Sequence, residues 1–282
     1  MNNSTGNFTT SEASTNSTTQ SFWLVNRLDI FLYSINLLFG LPTHSYVIWL
    51  IITGSGVASE FFNLNLSVCE LGSSLNCLFC ILDWFSHLKT LTYLLLGLGI
   101  TGRPVFQCLM CVERYLAVVH PVTFLKYKPL RYRVICCTVA WIITLGSCFY
   151  SFFIEISQNS HMLPWFFLLQ FLLFFSVQLF CLVAVLRALK QSGPGERGRE
   201  REEENHMKRR AFDLILITTV SMIIIYMPFI ISGFCFILMQ HFIKELFSFG
   251  FIFYILAGFV QPVLYLRRTG KLSCLCSPSI VQ

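Results

Sequence analysis

The segment CVERYLAVVHP, residues Cys111 to Pro121, places charged residues at the end of a long apolar run. Its Glu113-Arg114-Tyr115 triplet is followed by His-Pro and then by a basic stretch. Charges in hydrocarbon are costly, so we expect this pair to lie at the membrane face or to have partners. An ordinary arginine that reaches from a helix end toward water would give the same local pattern. The segment therefore indicates the end of a membrane helix, and the rest of the chain decides its role.

The composition indicates a membrane protein. The chain is 55% hydrophobic and 12% charged, whereas soluble domains carry about 25% charged residues. A spanning helix needs about 20 apolar residues, and seven segments meet this length. They are approximately Arg27–Ile52, Glu60–Phe85, Thr90–Val119, Arg131–Ile154, Leu163–Lys190, Met207–Met239 and Lys244–Arg267. We predict an all-α membrane protein with a seven-transmembrane helix bundle over residues 27–267.

Lysine and arginine predict the orientation of this bundle. The segment Met1–Phe22 carries neither residue type, and the side it shares offers little beyond Arg27, Lys89 and Lys244. Basic residues concentrate on the other side, at Lys126, Lys128, Arg131, Arg133, Arg197, Arg199, Arg201, Lys208, Arg209, Arg210, Arg267, Arg268 and Lys271. The positive-inside rule places the N-terminus outside and the C-terminus in the cytosol. The net charge of +6 thus follows from topology and gives no reason to expect nucleic acid as a partner.

Residues 1–26 are predicted to form a disordered, glycosylated extracellular N-terminus. They are rich in Ser, Thr and Asn, a composition that cannot bury a core. Four Asn-x-Ser/Thr acceptors begin at Asn2, Asn3, Asn7 and Asn16, as expected for glycosylation outside the cell. At the other end, Cys274 and Cys276 follow the last helix and are candidates for palmitoylation, although a purely structural role fits them equally well.

Several segments resemble, in chain order, motifs of the class A (rhodopsin-like) G-protein-coupled receptors. Gly40–Val47 resembles Gly-x-x-Gly-Asn-x-x-Val, with His44 in place of Asn, and Leu64–Glu70 is similar to Leu-Asn-Leu-Ala-x-x-Asp, with Glu70 in place of Asp. Glu113-Arg114-Tyr115 looks like the triplet that ends the third helix. The fourth helix has the matching tryptophan, Trp141.

The sixth and seventh segments extend the same resemblance. Tyr226-Met227-Pro228-Phe229 looks like Trp-x-Pro-Phe/Tyr, and Gln261-Pro262-Val263-Leu264-Tyr265 resembles Asn-Pro-x-x-Tyr. The resemblance covers roughly Arg27 to Cys276 and implies that residues 268–282 form a short amphipathic helix and cytoplasmic tail. The Gly-Leu-Pro opening and the Phe124–Tyr132 loop look most like the branch that holds nucleotide, lipid and protease-activated receptors.

The resemblance implies a switch facing the G protein. Arg114 would be its central residue, paired with Glu113 and released for the partner. Pro228 would be the kink about which the sixth helix pivots, although simple helix irregularity also explains a proline. The full set is Glu113, Arg114, Tyr115, Pro228, Pro262 and Tyr265.

The chain departs from the family at its outer end. The third-helix cysteine of the usual disulfide is replaced by Lys89, and Glu155–Pro164 contains no cysteine. We therefore expect an outer half without that cross-link.

Helical rise predicts a buried ion pair between Glu70 and Arg103. Arg103 lies eleven residues before Arg114, and Glu70 lies ten after Glu60, so both are roughly 15–16 Å above the basic face. An unpaired ion at that depth costs at least about 2.5–3.5 kcal/mol. In class A receptors the carboxylate at the Glu70 position often holds sodium, a site that the guanidinium would occupy here. His44 and Gln261 are expected to complete this polar cluster, or else are ordinary interior residues.

These observations predict a receptor at the plasma membrane that couples an extracellular signal to a heterotrimeric G protein, among membrane lipids. We expect no enzyme, cofactor or metal site, because the sequence has no metal-spaced His/Cys cluster and no phosphate-binding glycine loop. The ligand is not indicated. One alternative is a receptor-like protein without ligand-gated signalling, acting constitutively, as a decoy or on a partner. Another is a transporter or channel, suggested by charges at membrane depth but disfavoured by the lack of internal repeats.

Overall fold

The computed structural model describes residues 27–54, 57, 60–86, 88–127, 130–157, 162–191, 199–239 and 244–269. Over these ranges it contains seven helices long and apolar enough to cross a membrane, which confirms the predicted seven-helix bundle. The expected glycosylation sites Asn2, Asn3, Asn7 and Asn16 lie outside the described residues. The same holds for Cys274, Cys276 and nearly all of the segment predicted as an amphipathic helix, so those predictions remain open.

The helices are numbered 1 to 7 in chain order. Their bounds are Arg27–Thr53, Phe61–Ser86, Lys89–Val119, Leu130–Ser157, Met162–Gln191, Arg199–Met239 and, for helix 7, Lys244–Gly258 continued as the C-terminal segment Val260–Arg268. Two stretches differ from the sequence-based expectation. Helix 6 begins at Arg199 rather than near Met207. The stretch after His120, expected as a loop, forms the short helix Pro121–Tyr127, because proline is well suited to the first position of a helix.

Helix 3 lies at the centre of the bundle. It contacts helices 2, 4, 5 and 6, and 72% of its most apolar stretch is buried, against 28–39% in the other six. Phe106 of this helix is fully buried in the main apolar core and meets Trp141 of helix 4 edge to face. Side chains of helix 3 therefore form much of the interior of the bundle.

Apolar and polar side chains are distributed as lipid surroundings require. Large apolar residues are exposed on the outside, such as Leu169 and Phe180 on helix 5. Polar residues such as Gln178 and Thr144 are fully buried. Interhelical hydrogen bonds are a main source of attraction where lipid tails are as apolar as leucine. One example joins helices 4 and 2, where Trp141 Nε1 donates to Asn65 Oδ1 at 2.9 Å.

The end of the bundle opposite the basic residues is held by an ion pair. Lys89 Nζ, at the start of helix 3, lies 3.0 Å from Glu155 Oε1 near the end of helix 4. Lys89 occupies the position of the family's disulfide cysteine, and its side chain is 63% exposed. An exposed pair contributes about 0–1 kcal/mol, whereas a disulfide contributes about 2–4 kcal/mol. The connection is therefore weaker than the cross-link it replaces.

We predict that a reducing agent leaves the thermal unfolding temperature of the purified protein nearly unchanged. Every cysteine that the structure describes is unpaired, so there is no cross-link in this part of the chain to break. The measurement is thermal unfolding in detergent with and without reductant, with a disulfide-containing class A receptor in parallel. A large drop would show that helix cysteines such as Cys80 and Cys148 form a disulfide.

Candidate functional site

The centre of the bundle contains a buried ion pair between helices 2 and 3. Glu70 and Arg103 are 5% and 4% exposed. Arg103 donates from Nε to Glu70 Oε1 and from Nη2 to Glu70 Oε2, the second bond at 2.6 Å. This two-point geometry is the strongest form of a carboxylate–guanidinium contact. The ion pair predicted from helical depth is thus present.

Helix 7 completes the surroundings of Arg103. Arg103 Nη1 donates to the backbone carbonyl of Tyr254 at 2.6 Å, and the Tyr254 ring lies 3.8 Å from the guanidinium carbon. The Tyr254 hydroxyl is 3.4 Å from Ser73 Oγ on helix 2. A Cβ at Gly258 would lie 3.1 Å from Arg103 Nη2, so glycine allows helix 7 to approach this closely. The charge at position 103 therefore connects three helices.

Local irregularity in helix 3 accompanies this arrangement. The segment Leu98–Gly102 is π-helical, and the α-helix resumes at Arg103. A π turn takes an extra residue and changes the direction of the side chains that follow it, and such turns often occur at functional sites. Apart from its glycines, the residues of this segment carry no signal for a π turn.

Of the other two members of the predicted cluster, His44 lies close enough to Glu70 and Arg103 to interact with them electrostatically, whereas Gln261 lies beside Arg114. His44 on helix 1 is buried, with no hydrogen-bond partner for its Nδ1 atom within the described part of the chain. Gln261 on helix 7 shares a small cavity with Arg114, near the basic end, and its Nε2 atom is likewise unpartnered among the described atoms. The charged pair is completed by Tyr254, which sequence reasoning missed because the main acceptor is a backbone carbonyl.

Tyr226 joins helix 6 to helix 3. This residue stands where the family usually has tryptophan, and its hydroxyl donates to the Ile100 carbonyl at 2.6 Å in a fully buried setting. In a regular helix that carbonyl would accept from the residue four positions later, which is Pro104 and has no N–H. The Tyr226 hydroxyl therefore supplies the hydrogen bond that Pro104 cannot donate to the Ile100 carbonyl. A tryptophan at this position would have to reach the same carbonyl with its ring N–H, in a different geometry.

The basic end of helix 3 contains a second ion pair. Glu113 Oε1 accepts a hydrogen bond from Nη2 of Arg133 on helix 4. The pairing of Glu113 with the adjacent Arg114 stays a prediction from the sequence. The sequence indicated Arg114 as the partner and counted Arg133 as part of the topology signal. The structure therefore adds an interhelical pair at this position.

Arg114 borders a small cavity between helices 3, 6 and 7. The residues around it are Met110, Cys111, Arg114, Leu214, Thr218, Gln261 and Leu264. Tyr115 lies on another side, where its hydroxyl is 3.0 Å from His120 Nε2 and its ring meets Phe180 of helix 5. Side chains from the three helices that the family's switch involves thus surround Arg114.

The remaining predicted switch residues lie on helices 6 and 7. Pro228 is buried within helix 6, which continues through it. Pro262 follows the interruption of helix 7 at Phe259. Tyr265 is buried in a cluster with Val47 and Ile51 of helix 1. The two prolines thus lie where helices 6 and 7 could bend.

We predict that Glu70→Gln or Arg103→Leu alone sharply reduces the yield of folded protein, because each leaves a charged or polar group buried without its partner. Removing one side of a buried pair costs about 3–5 kcal/mol. A double replacement, Glu70→Leu with Arg103→Met, should recover part of the yield. The measurement is surface staining together with thermal unfolding in detergent, and Lys89→Ala, which breaks an exposed pair, is the matched control.

Normal yield in both single variants would contradict the role given to this pair. A change in basal activity of the unmodified protein with sodium would also contradict it, because Arg103 fills the position at which the family's carboxylate holds that ion.

We predict that Tyr226→Phe lowers stability by about 1–3 kcal/mol, the usual cost of leaving a buried polar group unsatisfied. Only the hydroxyl is removed, so the loss measures the bond to Ile100. Tyr150→Phe is the matched control, because Tyr150 is 37% exposed and faces outward. Equal unfolding temperatures for the two variants would show that Ile100 finds another donor.

Comparison with known proteins supports the family that the motifs indicated. No family model matches the chain. The chain is 26% identical to the human C-C chemokine receptor type 8 over 156 residues, 47% of this chain and 39% of that receptor. It is 28% identical to the mouse chemokine XC receptor 1 over 198 residues, 60% of this chain and 58% of that receptor. The chain thus spans about two fifths to three fifths of the length of these relatives.

Both relatives are named as chemokine receptors, so the nucleotide, lipid and protease-activated branch suggested by the sequence is not confirmed. The class itself agrees with the seven helices and with the ordered motifs described above. Over the compared segments the chain is similar to receptors of the class A (rhodopsin-like) type, and its seven membrane-length helices agree with that similarity.

Proposed function

We propose that this protein is a plasma-membrane receptor that transmits an extracellular signal to a heterotrimeric G protein by conformational change. The observation that carries the proposal is the position of Arg114, at the basic end of the central helix and beside the cavity between helices 3, 6 and 7. The positive-inside rule places this end in the cytosol and the N-terminus outside. No catalytic step is part of the proposal.

The signalling step would widen the cavity beside Arg114. Helix 6 contains Pro228, and proline interrupts the helical hydrogen bonds and allows bending. If the basic end of helix 6 moves outward, Leu214 and Thr218 separate from Arg114 and open a binding surface for the G protein. Exposed Arg131, Arg209 and Arg210 nearby suit an acidic partner surface. The hydrogen bond that Arg133 donates to Glu113 attaches helix 3 to helix 4 during this movement.

The two relatives suggest a class of extracellular ligand. Both relatives are named for chemokines, so chemokines are the first ligands to test. The Lys89–Glu155 pair at the opposite end of the bundle replaces the usual disulfide, so the entrance to a ligand site would be held less firmly here.

A second candidate is a receptor-like protein without ligand-gated signalling. The buried bonds from Arg103 to Glu70 and Tyr254, and from Tyr226 to Ile100, stabilise one arrangement of helices 2, 3, 6 and 7. A protein fixed in that arrangement would act constitutively, as a decoy or on a partner. The transporter or channel alternative loses support, because the charges that motivated it, Glu70 and Arg103, bind each other.

We predict that Arg114→Ala leaves surface expression largely intact but removes G-protein activation, because the variant lacks the cation that the G protein would meet. The measurement is nucleotide exchange on a panel of G proteins, together with surface staining. Arg187→Ala is the matched control, an exposed arginine at the same end of helix 5.

Full nucleotide exchange by Arg114→Ala would contradict the assigned role. Absence of exchange by the unmodified protein, with every G protein and every chemokine tested, would favour the decoy or partner-directed form of the second candidate, whereas exchange that no chemokine changes would favour its constitutive form.

A further inference from the structure

A second, larger cavity lies between helices 6 and 7 at the basic end. Its volume is about 460 Å³, within the range of small-molecule sites. Three arginines border it, Arg209 and Arg210 from helix 6 and Arg267 from helix 7, together with one carboxylate, Asp213. Ile217 and Leu264 form part of its apolar wall.

The charges favour an anion with several negative groups. Three guanidinium groups and one carboxylate leave two positive charges among the described residues of the wall. Arginine presents its donors in a planar fork that matches phosphate oxygens in pairs. A site with arginines from two helices can contact more than one phosphate group.

The depth of the cavity favours a lipid as the source of that anion. Arg209 of helix 6 and Arg267 of helix 7 lie at the basic end of the bundle, which the positive-inside rule places beside the headgroups of the cytosolic leaflet. Ile217 follows Arg209 by eight residues, roughly 12 Å deeper along the helix, and is exposed. The wall is therefore cationic where headgroups lie and apolar where acyl chains begin.

We propose that this cavity binds the phosphorylated headgroup of an anionic lipid of the cytosolic leaflet, of the polyphosphoinositide class. Basic pockets between membrane helices on that side are suited to such headgroups. The proposal relies on the orientation given by the positive-inside rule, and it requires neither a G protein nor an extracellular ligand. An acidic protein segment is the competing occupant. Such a segment has no acyl chain to pack against Ile217 and Leu264, so it is the poorer match.

The test is lipid binding by the purified full chain in nanodiscs, followed with a fluorescent phosphatidylinositol bisphosphate in a phosphatidylcholine background. The unmodified protein should bind it more tightly than phosphatidylserine at equal total charge. Arg209→Gln with Arg210→Gln should weaken binding by roughly 30-fold, since each basic residue near an anionic surface contributes roughly fivefold. Asp213→Asn should strengthen binding, because it removes the carboxylate from the cavity wall.

Arg187→Gln is the control for general surface charge, because Arg187 is exposed on helix 5 and is not part of the cavity wall described above. Its binding should remain unchanged. Thermal unfolding of each variant verifies folding, and the gain expected for Asp213→Asn keeps the proposal testable even if the double variant is unstable.

Four results would overturn the proposal. Arg187→Gln could lose as much affinity as the double variant, or phosphatidylserine could bind equally well, and either result would indicate a non-specific basic surface. Soluble inositol trisphosphate could bind as tightly as the lipid, which would remove the role of the membrane. An acidic peptide could bind in place of every lipid with the same dependence on Arg209 and Arg210, which would assign the cavity to a protein partner. Because no G protein is present, these results are independent of the test of Arg114.

Discussion

The ion pair between Glu70 and Arg103 is the constraint around which the interior of this protein is organised. A guanidinium near mid-bilayer is costly unless every side of it is occupied. Here Nε and Nη2 bind Glu70, Nη1 binds the Tyr254 carbonyl, and the Tyr254 ring covers the charge. Gly258 allows the close approach of helix 7 that this arrangement requires. Helices 2, 3 and 7 are thus joined at one point by polar bonds, and lipid tails offer no donor or acceptor that could replace them.

Helix 3 provides a second point of attachment one turn before that charge. Pro104 deprives the Ile100 carbonyl of its usual donor, and the Tyr226 hydroxyl of helix 6 supplies one. The same helix bonds to helices 4 and 5 through Thr101, which contacts Ser147 and donates to Gln170 at 2.9 Å. In a bundle surrounded by lipid, such polar bonds help determine which helices are neighbours. Two residues that differ from the class A motifs, Glu70 and Tyr226, therefore make interior bonds of this bundle.

The two ends of the bundle depart from the family in a related way. At one end Lys89 and Glu155 form an ion pair at the disulfide position, and at the other Glu113 binds Arg133 of helix 4. Each contact attaches helix 3 to helix 4 by charge. Salt screens exposed pairs more than buried ones, so the Lys89 end is the more sensitive to ionic strength. Arg133 is 8% exposed, which makes the Glu113 end the firmer of the two.

The sequence by itself determined the number of helices, their approximate bounds and the depth of Glu70 and Arg103. Span length is set by the thickness of the membrane and depth by the rise per residue, and both can be counted along the chain. Two opposite charges at one depth on neighbouring helices had to pair, since neither could remain alone in hydrocarbon.

Only the tertiary structure decided which way each side chain points around its helix. The π segment Leu98–Gly102 changes that direction in helix 3, and no residue pattern announces it. The acceptors at Tyr254 and Ile100 are backbone carbonyls. Every residue has such a carbonyl, so the sequence does not show which one is free to accept. A carbonyl becomes available only where the helix is irregular or a donor approaches it. Arg133 was visible as a charge, but its bond to Glu113 depends on the packing of helix 4 against helix 3. Depth follows from counting residues, whereas the direction around the helix axis follows from the way seven helices pack together.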